Sequence, residues 1–517
     1  MPAPGAGTRI PGVMGKRADE VLVGGVLPTV PGADALAIGG GRILAVGRGQ
    51  EVLRLVSTET RRTDLRGQVL LPGFIDAHTH LLDTGLRETG WRVELSGLSR
   101  EETLSRISSE VRRRGDGECV AARGWDESLW PGHRPLSRED LDRLAPGSPV
   151  VAVRVCGHAL VANSLALSRL PPDLDRAEVD LESGTLVEEA ATAFLLTLEP
   201  DDATRVEALL AAAHLCHRLG LTSVHAVVYP CQLRAFMKVR GLLDLRVTVY
   251  PEVVGLEALE TLGMETGFGD GRLRLGGVKL FADGSIGART AALREPYADA
   301  PHRGTLLKND EELAALLRRA DEAGLQTAVH AIGDRAIDQV LRAHESAHTS
   351  PSLRHRIEHF ELPDDGAIEE TARLGLSLCM QPNFVSWSGP SGLYETRLGG
   401  QRDRRTDPHR AVLDAGIPLS FGSDGMPLSP LVGLHAAVNA PHPGQRVSVE
   451  EAIAAYTLSG ARLSFEEGEK GALSVGSLAD LVVLDRDPRR DPGRLAERRV
   501  ERTFVGGKLV YERERER

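Results

Sequence analysis

The feature that most constrains this chain is the alternation of short apolar strand candidates with longer amphipathic segments from Leu71 onward. Such alternation is typical of βαβ units and a parallel sheet. The candidate strands are "LLPGFIDAHTH", "LTSVHAVV", "LRVTVYPEVV", "RLGGVKLFADG", "LQTAVHAIGD", "RHRIEHFEL", "LGLSLCMQP" and "GIPLSFGSDG". Eight units are the number in a closed (β/α)8 barrel, so a TIM-type barrel is predicted over residues 71–470.

The two ends of the chain have a different pattern, in which short Val/Leu runs alternate with Gly-rich turns. "ALAIGGGRILAVG" near the start and "RTFVGGKLVYERE" near the end both favour β-hairpins. Because chain termini often lie close together, residues 19–70 and 471–517 are predicted to form one composite β-sandwich domain. Residues 1–18 are predicted to be a disordered tail.

An excess of about 120 residues separates the first two strand candidates, far more than an ordinary connection needs. This segment, about residues 83–200, has its own alternation of helix and strand candidates. It is predicted to be an α/β insertion. A loop that follows a barrel strand emerges at the catalytic face, so the insertion should roof the barrel mouth.

The net charge disfavours some classes of partner, and the cysteine content indicates the cellular compartment. The chain has 62 Lys+Arg and 73 Asp+Glu, a net charge of −11 that disfavours nucleic acids and anionic membranes. Its five cysteines include no C-x-x-C pair, which fits a reducing cytoplasm. No signal-peptide core and no membrane-spanning apolar run is found. We expect a soluble, cytoplasmic protein with a small-molecule substrate; a homodimer stays open.

Candidate metal-binding side chains lie at the C-terminal ends of five candidate strands. This is the edge where barrels place reactive groups. They are His78 and His80 on the first, Lys279 on the fourth, His330 on the fifth, His359 on the sixth and Asp424 on the eighth. Strand residues two apart point to the same face, so the first two imidazoles should emerge side by side. Imidazole and carboxylate suit zinc and similar divalent metals.

Several segments resemble the signature segments of the amidohydrolase superfamily, in the branch of the N-substituted formamide deformylases. They are "GFIDAHTH", "VKLFADGSIGARTAAL", "HAIGDRA", "RIEHFEL" and "GSDGMPLSPL", and the resemblance extends to "GWDESLW" and "GHALVANSLAL" in the insertion. The resemblance implies a distorted (β/α)8 barrel with one or two metals. It places His78 and His80 on one metal, His330 and His359 on a second, Lys279 between them as a carbamate, and Asp424 as ligand and proton shuttle.

The chemistry of Lys279 agrees with that role. A neutral lysine amine can add carbon dioxide to give an anionic carbamate, whose two oxygens can span two metals about 3.5 to 4 Å apart. Val278 and Leu280 flank this lysine, and burial lowers the pKa of an amine. The alternative is that Lys279 stays cationic beside Asp283 and the site holds one metal.

The expected reaction is hydrolysis of an amide C–N bond, in an N-substituted formamide or similar small N-acyl compound. A bound metal lowers the pKa of water to about 7, and Asp424 passes a proton to the departing nitrogen. Two alternatives stay open: a mononuclear deaminase or cyclic-amidase-type member of the same superfamily, and a non-catalytic scaffold. About two zinc ions per chain would favour the binuclear hydrolase, about one the deaminase-like enzyme, and none the scaffold.

Candidate substrate contacts come from the insertion and the long loops. Trp125 and Trp130 lie in the insertion, and Trp387 follows the seventh strand. Tryptophans at the barrel mouth would favour an apolar or aromatic substituent on the substrate, although packing of loops against the roof explains them equally well. His158 is a further candidate contact.

Overall fold

The computed structural model describes residues 17–155, 157, 159–172, 174 and 176–514. The strands in this part of the chain are β1 (Glu20–Val23), β2 (Ala35–Gly39), β3 (Arg42–Gly47), β4 (Arg61–Asp64), β5 (Val69–Pro72), β6 (Phe74–Thr79), β7 (Arg92–Glu94), β8 (Val120–Trp125), β9 (Val150–Arg154), β10 (Ala159–Ala162), β11 (Val179–Asp180), β12 (Thr185–Val187), β13 (Leu221–Val228), β14 (Arg246–Pro251), β15 (Leu273–Leu275), β16 (Gly277–Phe281), β17 (Gln326–Ala331), β18 (Arg356–His359), β19 (Ser377–Met380), β20 (Leu419–Phe421), β21 (Leu481–Leu484), β22 (Val500–Val505) and β23 (Lys508–Glu512).

The α-helices are α1 (Gly49–Val52), α2 (Leu81–Glu88), α3 (Arg100–Arg114), α4 (Arg138–Leu144), α5 (Ser164–Leu167), α6 (Glu188–Thr197), α7 (Asp202–Arg218), α8 (Leu233–Val239), α9 (Leu256–Leu262), α10 (Asp310–Glu322), α11 (Asp334–Ala347), α12 (Asp365–Arg373), α13 (Leu393–Leu398), α14 (Gly400–Asp403), α15 (His409–Asp414), α16 (Pro430–Val438), α17 (Val449–Ala455) and α18 (Leu458–Leu463). Among these described helices, none is long and apolar enough to cross a membrane.

Both chain ends contribute to a pair of four-stranded sheets, with strand orders β3-β2-β1-β4 and β23-β22-β21-β5. Leu22, Leu36, Leu481 and Phe504 share one buried cluster between them. The two hairpins turn at double glycines, Gly40–Gly41 and Gly506–Gly507, and all four glycines have positive φ. A two-residue hairpin turn of this kind requires that conformation, which explains the predictive value of the "GG" pairs.

The predicted tail falls mostly on residues 1–16, which lie outside the described residues. Its predicted end at residue 18 is wrong by at least one position. Ala18 is buried, and its carbonyl accepts a hydrogen bond of 2.7 Å from the Thr60 hydroxyl. Residue 18 therefore packs with buried residues of β1 to β3.

Parallel strands form the central part of the chain. Their hydrogen-bonded orders are β6-β13-β14-β15 and β16-β17-β18-β19-β20, in the sequence order that βαβ units produce. Across the described residues these strands form two sheets, and no single closed ladder is detected. An isolated parallel bridge between Glu252 and Lys279 links the sheets on one side, and the Asp424 N–H donates to the His78 carbonyl (2.8 Å) on the other.

The first predicted strand is in fact two strands. Gly73 separates β5, which pairs with β21 of a terminal sheet, from β6, which pairs with β13 of the parallel sheet. A Cβ at Gly73 would lie 2.3 Å from the Thr222 side chain, so only glycine fits at this crossing. The continuous apolar run "VLLPGFIDA" hides the change of sheet because both strands are fully buried.

The insertion forms a six-stranded sheet of order β11-β12-β10-β9-β8-β7 with α3 to α6. Helix α3 begins where Ser99 and Glu102 form a reciprocal capping box. The sheet has a hydrophobic cluster of its own, which includes Trp125, Trp130 and Leu141. The segment therefore packs around its own hydrophobic cluster.

Candidate metal centre

The six predicted metal-site residues surround one cavity of about 1160 Å³ at the carboxyl ends of the parallel strands. His78 lies in β6 and His80 directly follows that strand, Lys279 lies in β16, His330 in β17, His359 ends β18, and Asp424 follows β20. Parallel strands bring their carboxyl ends to one edge, so residues far apart in sequence meet there. Ordinary strand geometry thus accounts for most of the convergence.

Asp424 lies at the meeting point of the first two imidazoles. Its Oδ1 is 3.1 Å from His80 Nε2 and 3.5 Å from His78 Nε2. Burial opposes ionisation of Asp424, but the imidazoles of His78 and His80, which approach its carboxylate, outweigh that effect and hold the pKa well below the usual value. Asp424 also has a φ of +54°, in the left-handed region that non-glycine residues rarely adopt. Strain of this kind clusters at functional sites.

The other two histidines lie against each other on neighbouring strands. The ring centres of His330 and His359 are 4.4 Å apart, and those of His78 and His359 are 5.0 Å apart. His330 Nε2 donates to the Gly284 carbonyl over 3.0 Å. His359 has a φ of +72°, so β18 ends in a left-handed turn at this residue.

Lys279 lies in β16 and lines the same cavity as this histidine pair. Its Nζ lies 4.7 Å from the centre of the Phe281 ring, and the side chain is buried. Burial lowers the pKa of Lys279, although the carboxylates of Glu358 and Asp424 act in the opposite direction. Lowering the pKa of a buried amine increases the fraction of it that is in the neutral, nucleophilic form.

The donor set fits a divalent cation. Ligand atoms of His78, His80 and Asp424 all lie within 4.8 Å of one another. His78 Nε2 and His359 Nδ1 are buried and form no hydrogen bond within the described part of the chain. Buried imidazole nitrogens normally have a hydrogen-bond partner. The lack of one here fits two nitrogens that bind a metal ion.

Comparisons with known proteins agree with this geometry. Residues 62–511 match the sequence model of the amidohydrolase family. This chain belongs to the amidohydrolase family. It is a hydrolase that acts on carbon–nitrogen bonds, and its relatives include metal-dependent hydrolases.

Two relatives and one solved structure cover most of this amidohydrolase. "Putative amidohydrolase YtcJ" of Bacillus subtilis (strain 168) is 33% identical over 492 residues, 88% of this chain and 92% of its own. N-substituted formamide deformylase of Arthrobacter pascens is 29% identical over 525 residues, 93% and 95% of the two chains. The crystal structure of an uncharacterized metal-dependent hydrolase from Pyrococcus furiosus superposes with a TM-score of 0.76 at 32% identity, covering 91% of this chain and 99% of its own.

The predicted substrate contacts of the amidohydrolase do not all line the cavity. Trp387 lines the cavity, where its ring centre lies 4.7 Å from that of Phe384. Trp125 and Trp130 do not reach it: they stack on each other in the insertion core, and their indole N–H groups donate to the carbonyls of Ala152 and Leu98. Each indole already has its polar partner, so these two tryptophans are core residues. His158 lies outside the described residues.

Sequence reasoning missed other polar groups of the cavity. From the insertion, Arg92, Arg123 and Arg154 also line the cavity. Glu361, two residues after His359, also lines the cavity and accepts a short hydrogen bond from the Tyr394 hydroxyl. "EHFEL" does place Glu361 near the end of β18, but nothing in the sequence shows that its side chain faces the cavity.

Proposed function

We propose that this protein is a metal-dependent amidohydrolase that cleaves the amide C–N bond of N-substituted formamides or similar small N-acyl compounds. The observation that carries the proposal is the convergence of four imidazoles, a buried amine and a carboxylate on one cavity. The two parallel sheets then correspond to the halves of a distorted (β/α)8 barrel, and the two terminal sheets to a β-sandwich.

The residues that would hold the metal divide into two groups. His78, His80 and Asp424 would bind one zinc ion, and His330 and His359 a second. When bound, such a metal lowers the pKa of water toward about 7 and polarises the scissile carbonyl. Lys279 would join the two groups after its neutral amine attacks carbon dioxide. The new N–C bond forms, one C=O electron pair moves to oxygen, and the nitrogen gives up one proton to water.

Proton transfer is the task of Asp424. Its carboxylate accepts a proton from the attacking water as the carbonyl carbon becomes tetrahedral. Asp424 then donates that proton to the amide nitrogen, the C–N bond breaks, and the nitrogen departs as a neutral amine. An unprotonated amide nitrogen is a poor leaving group, so the single carboxylate serves both steps.

The cavity wall next to His359 suits an apolar or aromatic N-substituent. The Phe384 ring is parallel to the His359 imidazole at 6.0 Å, and Trp387 and Tyr394 continue the aromatic wall with ring centres 5.8 Å apart. Offset and tilted aromatic arrangements at these distances favour another ring. The likeness to the formamide deformylase of Arthrobacter pascens supports the same substrate class.

A substrate panel tests the proposal. Zinc-loaded enzyme is incubated with formamides, matched acetamides and cyclic amides that carry the same aromatic or aliphatic substituent, and amine release and ring opening are measured separately. We expect the fastest amine release from aromatic formamides, with Asp424→Asn as the inactive control. Ring opening without amine release would instead identify a cyclic amidase, and no turnover by zinc-loaded enzyme would overturn the proposed activity.

A further inference from the structure

A buried ion pair lies directly beneath the candidate metal centre. Arg356 Nε is 2.6 Å from Glu358 Oε1, and neither side chain has any exposed surface. Both residues belong to β18, two positions apart, so they point to the same face of the strand. That face is the interior of the parallel sheets, where water cannot solvate either charge.

Burial of two charges is expensive, and a well-packed apolar pair of similar volume is often as stable or more stable. Stability alone therefore does not explain this pair. Arg356 is held on all sides: one Nη lies 3.0 Å from His225 Nδ1, the other donates to the Ala77 carbonyl at 3.1 Å, and the guanidinium lies over the Tyr250 ring at 4.3 Å. Such a fixed cation can orient Glu358.

Glu358 in turn contacts the first metal-site histidine. Its Oε2 accepts a short hydrogen bond from His78 Nδ1, because an ionised carboxylate can only accept. The other nitrogen of the same ring, Nε2, faces Asp424 Oδ1 at 3.5 Å. In the neutral form of this ring, a proton on Nδ1 that Glu358 accepts leaves the lone pair on Nε2, the nitrogen on the Asp424 side of the ring.

We propose that Glu358 and Arg356 are positioning residues for the metal: Glu358 fixes the tautomer and ring orientation of His78, and Arg356 fixes Glu358. The inference rests on the proposed metal-dependent function. Carboxylate partners of this kind orient metal-binding histidines and raise their basicity. Here the carboxylate and its counter-ion come from the strand that also delivers His359.

A second cation site is the competing explanation, because His78, Glu358 and Cys379 also place ligand atoms within 4.8 Å of one another. The position of Arg356 argues against it. Its guanidinium already supplies the positive charge beside Glu358, and a metal ion there would be repelled at close range. Cys379 is better explained as a buried residue that packs with Ala77 and Leu463.

The test compares metal affinity with the stability of the metal-free protein. Variants are Glu358→Gln, which keeps an acceptor for His78 but removes the charge, and the double variant Arg356→Met/Glu358→Leu, which removes the pair. The matched control is Arg246→Met/Asp480→Leu, which removes another buried ion pair (2.6 Å) at the opposite end of the strands. Dissociation constants for Zn²⁺ and Co²⁺ are measured by chelator competition, together with the cobalt absorption spectrum and thermal unfolding of the apo form.

We expect both Glu358 variants to bind metal about 10- to 100-fold more weakly than wild type and to alter the cobalt spectrum. The control should retain wild-type affinity even if its unfolding temperature falls. If the double variant does not fold, Glu358→Gln decides alone. Wild-type affinity and spectrum in Glu358→Gln would overturn the positioning role, as would an equal loss of affinity in the control; absence of metal binding by wild type would overturn the proposed function itself.

Discussion

Substitution of Gly85 by alanine should destabilise the protein, although Gly85 lies inside a helix. Gly85 is in α2, and a Cβ added there would lie 1.9 Å from the Ala208 carbonyl oxygen and 2.4 Å from its carbon in α7. Ordinary van der Waals contact begins near 3.4 Å, so the helices must separate by about 1.5 Å. The clash is with backbone, so no side-chain rotation can relieve it.

Two effects of known size oppose each other at this position. Alanine is favoured over glycine in a helix by about 1 kcal/mol, whereas overpacking a buried contact costs about 1–3 kcal/mol. The large displacement required here places the cost at the upper end, which leaves a net destabilisation of about 2 kcal/mol. Because α2 begins directly after His80, a shift of α2 should also move this imidazole and weaken metal binding.

Unfolding of apo Gly85→Ala and wild type by urea gives the free-energy difference. Gly366→Ala in α12 is the matched control, since Gly366 is exposed and its nearest non-neighbour atom is the Asp364 carboxylate oxygen at 3.4 Å. That variant should be unchanged or slightly more stable. If Gly85→Ala is as stable as wild type, the close helix contact is refuted, because the gain in helix propensity would then equal or exceed the cost of the clash.

Three further predictions concern the site and the pH dependence of stability. Asp424→Asn should retain bound metal by atomic absorption but lose roughly 10²- to 10⁴-fold in kcat; undiminished kcat would exclude the proton-shuttle role. Trp387→Ala should raise KM for aromatic formamides up to roughly tenfold, and an equal rise for aliphatic ones would argue against ring stacking. Burial lowers the pKa of His409 to about 4, so between pH 6.5 and 4 the unfolded chain binds more protons and stability falls as pH falls. Between pH 7 and pH 5, the free energy of unfolding of His409→Gln should therefore fall by about 2 kcal/mol less than that of wild type, as measured by urea unfolding. An identical fall in both proteins would contradict the assigned pKa.

The sequence predicted best where a single local rule determines the structure. The double glycines at Gly40–Gly41 and Gly506–Gly507 specify tight hairpins because little else can adopt two consecutive positive φ values. The predicted metal-site residues line one cavity because parallel strands place their carboxyl ends together, whatever the intervening loops do. In both cases the inference needed no knowledge of which side chains touch.

Prediction failed where the answer depends on tertiary contacts. Trp125 and Trp130 are close in sequence to a loop of the predicted roof, but their indole N–H groups find carbonyl partners inside the insertion core. The boundary at Gly73 was missed because β5 and β6 are equally apolar, and only their strand partners show that they belong to different sheets. An apolar residue in a sequence predicts that its side chain is buried, but it does not show which other element that side chain packs against.

The end of β18 shows why Glu358 and the predicted metal ligand His359 could not be assigned to one site from the sequence pattern alone. In a regular strand, Glu358 and His359 would point to opposite faces, so a polar "EH" pair predicts at most one functional side chain. The structure brings both to the same centre, because His359 and Phe360 have φ values of +72° and +52° and turn the chain after Glu358. Non-glycine residues adopt this conformation at a cost of roughly 1–3 kcal/mol, which surrounding contacts must offset. Here the Phe360 N–H donates to the carbonyls of Ala331 and Glu358, both at 3.0 Å, so the neighbouring strand β17 holds the turn that places His359 beside His330.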